Sequence, residues 1–436
     1  MKPACLTVPK TWLTALALGW LVPGFAVAAP TPANLDEAKV PAYVLPDPLE
    51  DSAGGRVTDA AGWRVRRAEL LELATREMYG RAPLDRPEDM HLVVTAEDPQ
   101  ALGGRATRRE VTLRFGRAAD APRMHLLVYL PNHVAGPRPA FVGLNFDGNH
   151  TTTDDPAVAV AEDAVYPETA RSRPRGKAPQ PKARGSQSER WQIARVIDRG
   201  YATATAWYYD LCPDRVEGME QNVAALAAGG STEGRAPEAW GAVAVWAWGL
   251  SRALDYLETE PRVDARRVLV HGHSRLGKAA VWAAATDERF AGLISNNSGC
   301  GGAALSKRFF GETVGLINHR FPHWFSRSFR RYDDREADLP FDQHQILALV
   351  APRPLYVASA AEDLWADPKG EYLALAAAGP VYDLLGQPSL GAAPMPAVDQ
   401  PIATAAMGYH VRTGKHDITA YDWDRFLDFA DRALAR

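Results

Sequence analysis

The polar and apolar positions change period twice along the chain, and each change marks a different kind of structure. Residues 29–62 are rich in Pro, Asp and Ala and hold no sustained period, which predicts an arm laid over a surface. From Arg64 to Tyr79 the apolar positions recur at helical spacing, and the run stops at Gly80. His91–Ala96, Arg109–Phe115 and Met124–Leu130 then read as strands, the second alternating as a half-buried antiparallel strand does. Beyond Pro139 the alternation gives way to short continuous apolar runs, as strands covered on both faces require. Strands are predicted at Ala140–Leu144, Ala202–Trp207, Val268–Val270, Gly292–Ser295 and Leu355–Ser359, and helices at Glu238–Leu257, Leu276–Ala284, Glu371–Leu385 and Trp423–Leu434. Strand–helix alternation on this scale predicts a right-handed, doubly wound sheet of mostly parallel strands between two helical layers, in one domain over residues 63–436.

Composition adds a leader and an insertion to that picture. Residues 1–28 carry Lys2 and Lys10 ahead of an apolar stretch from Trp12 to Val27, broken by Pro23-Gly24, and close on Ala26-Val27-Ala28. Small residues in that arrangement suit signal peptidase, so export to the periplasm or the medium is expected, with cleavage near Ala28 or Ala29. No later run reaches membrane-spanning length, so no membrane partner is expected once the leader is removed. Losing the leader takes the basic residues from 49 to 47 against 53 acids, a formal charge of −6 in place of −4, and gives no reason to expect nucleic acid. The eleven histidines are scattered and no Cys-x-x-Cys occurs, so no metal is expected. Cys212 and Cys300, the two cysteines beyond the leader, permit one disulfide or two buried thiols. Residues 156–189 carry Arg171, Arg173, Arg175, Lys177, Lys182 and Arg184 without an apolar period, and are expected to form a basic surface insertion, either solvated or attractive to an anionic polysaccharide.

The chemistry concentrates at Gly272-His273-Ser274-Arg275-Leu276-Gly277-Lys278, between a predicted strand and a predicted helix. A sharp corner flanked by small residues lifts a serine hydroxyl off the sheet, and the first amides of the following helix face any oxyanion that forms beside it. That reading makes the domain α/β-hydrolase-like and Ser274 its candidate nucleophile. The spacing is Gly-x-Ser-x-x-Gly, one residue longer than the common elbow. A serine needs a base and the base needs an acid, which in this fold follow in the order Ser, acid, His. His416, after a Gly-Lys turn and before the last helix, is preferred as base over His410, which sits among strand-like residues. Asp363, in the loop after Leu355–Ser359, is preferred as acid over Glu362, and Asp367 before Pro368 is expected to cap the next turn. Arg275, next to the nucleophile, could add a fixed positive charge where the oxyanion develops.

Several segments resemble the glucuronoyl esterases of carbohydrate esterase family 15, and its bacterial members in particular. They are the serine motif, Trp240-Gly241 with Trp246–Arg252, Ser295–Gly302, Phe321-Pro322-His323-Trp324-Phe325, Phe341-Asp342-Gln343-His344, Glu362–Pro368 and Gly414-Lys415-His416-Asp417. The resemblance runs in order through residues 60–436. It implies an α/β-hydrolase, a three-layer sandwich, that cleaves the ester between lignin alcohols and the 4-O-methyl-glucuronate side groups of glucuronoxylan, as a monomer and without cofactor. It further implies Ser274 as nucleophile, His416 as base, Arg275 as oxyanion donor, and Lys278, Glu312 and Trp365 as the residues that hold the uronate. One position departs from the pattern. Where fungal members keep their acid, just after the strand that follows the nucleophile helix, this chain has Asn297, which cannot supply a charge. The acid must then come from elsewhere, and Asp363 is the expected supplier. An acetyl-xylan or other carbohydrate esterase on the same scaffold is the nearest alternative, and a non-catalytic polysaccharide-binding relative a more distant one.

Overall fold

The computed structural model describes residues 29–82, 86–160, 181–228 and 236–435. The leader expected at 1–28, and Arg171, Arg173, Arg175 and Lys177 of the basic insertion, lie outside the described residues. Among the described residues ten strands form one sheet: β1 Met90–Ala101, β2 Ala106–Phe115, β3 Arg123–Pro131, β4 Arg138–Asn145, β5 Ala202–Trp207, β6 Val263–His273, β7 Gly292–Asn296, β8 Leu355–Ala360, β9 Ile402–Ala403 and β10 Met407–Arg412. Their order is β1-β2-β3-β5-β4-β6-β7-β8-β10-β9. β1, β2 and β3 pair antiparallel, and β3 joins β5 antiparallel. From β5 through β4, β6, β7 and β8 to β10 every pairing is parallel. The change at Pro139 from alternating to continuous apolar residues is the change from antiparallel to parallel pairing.

The parallel strands send alternate residues into two apolar layers, as the two-residue period of a strand dictates. Ala140, Val142, Val268, Val270, Leu293, Leu355 and Val357 pack against the helices Ala60–Ala74, Ala242–Leu257, Arg275–Thr286 and Pro368–Leu384. Phe141, Leu269, Ile294 and Tyr356 face the other way, onto Trp423, Phe426 and Phe429 of the helix Ala420–Ala433. The result is the three-layer α/β-hydrolase sandwich.

Three expectations on local structure are corrected. The first helix begins at Ala60, inside the stretch read as arm, where the Asp59 side chain accepts from the Gly62 amide, and it runs through one wider turn, Thr75–Tyr79, before Gly80 at φ 83° ends it. The helix expected from Glu238 begins only at Ala242. Gly241 lies extended there with no room for a side chain, since a β-carbon on it would lie 2.3 Å from the Trp324 carbonyl oxygen, and the amides of Ala242 and Val243 bond to the carbonyls of His323 and Trp324 at 2.8 and 3.1 Å. All sixteen residues of this helix are buried. The stretch 156–189 is not wholly superficial: Val158 is buried, Arg184 bonds the carbonyls of Asp155 and Val158 at 2.8 Å, Lys182 pairs with Asp147 at 2.9 Å, and Ser188 already opens a helix. The arm itself is tied down, since Gly311 donates to the Asn34 carbonyl and Glu37 pairs with Arg308 and Lys369. Cys212 and Cys300 are both buried and are not bonded to one another.

Candidate active site

Ser274 stands at the end of β6 with φ 58° and ψ −132°, a left-handed conformation that costs a non-glycine residue about 1–3 kcal/mol and is kept only when neighbours impose it. Two glycines impose it. A β-carbon on Gly272 would sit 2.1 Å from the Leu276 carbonyl oxygen, and one on Gly277 would sit 2.9 Å from the Ser298 β-carbon. The second glycine therefore falls three residues after the serine because the helix Arg275–Thr286 crosses the Ser298 loop at that residue. The Ser274 amide bonds the Asn296 carbonyl at 3.0 Å, fixing the corner to β7.

His416 Nε2 lies 2.9 Å from Ser274 Oγ, and His416 Nδ1 lies 2.5 Å from Asp363 Oδ2. His416 is partly open to solvent while Asp363 is buried, and Glu362 beside it is exposed. Asp363 sits where it does because β8 ends beside β10: the Glu362 amide bonds the Gly414 carbonyl at 3.0 Å, which joins the acid loop to the histidine loop. Asn297 does not replace the acid; its Nδ2 donates to the same Asp363 Oδ2 at 2.8 Å. His410 is fully buried in β10, 2.9 Å from Asp422 and 3.0 Å from the Tyr356 hydroxyl, with burial pushing its pKa down against the pull of Asp422. Asp367 accepts from the Gly370 amide at 2.9 Å and caps the helix Pro368–Leu384.

Several residues that the sequence did not mark hold this arrangement. Arg412 donates to the carbonyls of Thr413, Lys415 and Asp417 at 3.0, 3.0 and 2.7 Å, wrapping the loop that carries His416, and its Nε bonds Asp422 at 2.8 Å. The His273 ring lies 4.6 Å from that of His416. Burial first, then the neighbouring His416, hold His273 well below the usual histidine range, so it stays neutral beside the base. Glu371 is fully buried and accepts from the amides of Ser298 and Gly299 at 2.7 and 3.0 Å and from the Ser359 hydroxyl at 2.6 Å. Burial, reinforced by the Asp363 charge, pushes it up to about 8 despite those hydrogen bonds. A spacing pattern could not have found His273 and Glu371, which act across segments far apart in the chain, while Arg412 acts within its own loop without a motif to mark it.

Lys278 is buried one turn into the nucleophile helix, bonding the carbonyls of Ser298 and Cys300 at 2.8 and 2.5 Å and Glu312 Oε2 at 3.2 Å. The ammonium has three hydrogens and each meets an acceptor. The Glu312 amide bonds the carbonyl of Trp365, a residue that is 37% exposed and has the Arg320 guanidinium 6.0 Å from its ring centre. Arg275 pairs with the buried Asp214. The structure thus brings Ser274, His416 and Asp363 into one hydrogen-bonded chain, with Arg275 and Lys278 of the nucleophile helix both against the Trp324 ring and Glu312 paired with Lys278.

The profile of the family described as fungal glucuronyl esterase matches residues 234–386. A carbohydrate esterase from an unknown prokaryotic organism is 46% identical over 411 residues, 93% of each chain. The solved structure of a glucuronoyl esterase from Solibacter usitatus is 47% identical, covers 91% of this chain and 99% of its own, and superposes with a TM-score of 0.83. That of a promiscuous esterase of carbohydrate esterase family 15 from a marine bacterial metagenome is 45% identical over 92% of this chain and all of its own, also at a TM-score of 0.83. On that similarity and its coverage, the chain belongs to carbohydrate esterase family 15, the glucuronoyl esterases, and is a carboxylic ester hydrolase.

Proposed function

We propose that this enzyme cleaves esters of the (4-O-methyl-)glucuronate side groups of glucuronoxylan, with lignin alcohols as the leaving groups, by two-step acyl transfer from Ser274. The observation that carries the reading is the unbroken chain from Ser274 Oγ to His416 to Asp363, at 2.9 and 2.5 Å. His416 takes the serine proton as Oγ attacks the uronate carbonyl carbon, and gives it to the departing alcohol oxygen. Water then adds to the acyl-serine with His416 again as base, which releases the uronic acid and restores the serine. Asp363 holds the imidazole in the tautomer that presents Nε2 to Ser274 and balances the imidazolium charge. Arg275 and the first amides of the nucleophile helix stabilise the oxyanion.

The acid half of the ester lies toward Glu312 and Trp365. The exposed Trp365 ring offers a face to the pyranose, and Glu312 a carboxylate to its hydroxyls. Lys278, with its hydrogens committed to the protein, acts there by charge and by setting the orientation of Glu312. Recognition of the acid half leaves the alcohol half open, so many alcohols should be tolerated. The protein acts after export, as a monomer. Methyl, benzyl and allyl glucuronates should be hydrolysed by the wild type and not by Ser274→Ala, with galacturonate esters and acetylated xylan as comparisons. Turnover by Ser274→Ala at the wild-type rate would sink the mechanism, and acetate release exceeding uronate-ester hydrolysis would move the enzyme to the acetyl-xylan esterases.

A further inference from the structure

We infer that Asp214 is a positioning residue for this reaction: it holds the Arg275 guanidinium beside Ser274, and His323 and Trp324 hold Asp214 in turn. The inference rests on the reading of Ser274 as nucleophile and Arg275 as oxyanion donor. Asp214 lies in the turn that follows β5, in a segment with no motif of its own, and its side chain is 3% exposed. Its Oδ1 accepts from His323 Nε2 at 2.8 Å and from Trp324 Nε1 at 2.7 Å. Its Oδ2 accepts from Arg275 Nη1 and, at 3.2 Å, from the Tyr208 hydroxyl. Burial alone would raise such a carboxyl, but the His323 hydrogen bond and the Arg275 charge hold it far below the usual carboxylate range, so it is ionised throughout the working range of an enzyme.

The same segment controls the plane of the guanidinium. Arg275 lies 4.8 Å from the centre of the Trp324 ring and 5.3 Å from that of Phe321, and these two rings are stacked 3.8 Å apart and nearly parallel. The carbonyls of His323 and Trp324 are themselves pinned by the first amides of the fully buried helix Ala242–Leu257. This assigns work to Phe321-Pro322-His323-Trp324, which otherwise has no role in the chemistry. Arg275 Nε is buried and meets no acceptor among the described residues, while the side chain as a whole is 28% exposed, so the clamp leaves part of the guanidinium open.

Two effects of Asp214 oppose one another. Its negative charge subtracts from the positive potential that an oxyanion would feel, while its hydrogen bond removes the rotational freedom of a long side chain. A donor stabilises a transition state only when it already points at the developing charge, so placement outweighs the lost potential. The sign of the effect is therefore the test.

Asp214→Asn keeps a carbonyl for His323 and Trp324 and weakens the hold on Arg275. With methyl and benzyl glucuronate, kcat should fall about 10- to 100-fold, short of the loss on removing an oxyanion donor outright, with KM changed less than about threefold. In an Arg275→Ala background the same substitution should cost less than about threefold, because its target is gone. A merely structural role would lower kcat equally in both backgrounds and would overturn the inference, as would a wild-type or raised kcat for Asp214→Asn. Should Asp214→Asn fail to fold, Asp214→Glu keeps the charge, displaces the carboxylate by one methylene, and is read through the same cycle. Arg275→Ala at wild-type kcat would overturn both the role of Arg275 and this inference while leaving the Ser274 mechanism, which Ser274→Ala tests separately. Loss in Arg275→Ala without loss in Asp214→Asn overturns the inference alone.

Discussion

Asp363→Asn separates charge from geometry in the proposed relay. Two donors converge on one carboxylate oxygen: His416 Nδ1 at 2.5 Å and Asn297 Nδ2 at 2.8 Å. The Asn297 N–H favours an asparagine that turns its carbonyl toward both, because its amide would meet that N–H head on. The tautomer of His416 is then preserved and only the charge is lost. With the charge centres of imidazolium and carboxylate about 4 Å apart and an effective dielectric constant of about 20, their attraction is about 4 kcal/mol. The His416 side chain is 41% exposed, and water screens part of this, leaving about 2–3 kcal/mol at the transition state. That corresponds to a kcat lowered about 30- to 150-fold. KM should change little, since Asp363 is buried behind the histidine. Steady-state rates on benzyl glucuronate, with thermal unfolding to show that the fold is intact, measure this. A kcat within about threefold of wild type for Asp363→Asn, together with a collapse for Glu362→Ala, would show that the acid is not Asp363.

Arg412→Lys keeps the ion pair with Asp422 but cannot reach three loop carbonyls, so kcat should fall about tenfold or more while the unfolding temperature shifts far less than in Arg412→Ala, where the lost buried partner costs about 3–5 kcal/mol. Gly277→Ala drives a methyl group against Ser298 and should cost about 1–3 kcal/mol in chemical denaturation as well as lower kcat by tilting the serine corner; an unchanged midpoint would show that the Ser298 loop yields freely. Glu371, pushed up to about 8 by burial, binds its proton more tightly in the folded chain than in the unfolded one. Its contribution is complete below about pH 4.5 and is lost as pH rises toward 8, by up to about 4 kcal/mol. Glu371→Gln should flatten the fall in stability across that window, and an unchanged urea profile from pH 5 to 8 would refute the assignment.

The layers of this protein, and the residue at its corner, follow from local rules. Continuous apolar runs such as Ala202–Trp207 and Gly292–Ser295 suit only strands covered on both faces, and a serine between a strand and a helix with small flanking residues occupies an elbow. His416 and Asp363 could be chosen from loop position, because chain order and strand ends limit where each can be, and the structure sets them within hydrogen-bond distance of one another and, through His416, of Ser274. The start of the buried helix at Ala242 could not be read locally, since it depends on the carbonyls of residues 323 and 324. Only the tertiary structure decided what Asn297, Asp214, Glu371 and Arg412 do. Each is a polar residue whose partners lie between 1 and more than 100 positions away, and hydrogen bonding falls off too steeply with distance for sequence separation to stand in for it. Periodicity reports which face of an element is buried; it carries no information on which buried polar groups meet, and in this protein those meetings hold the serine, the histidine and the arginine in place.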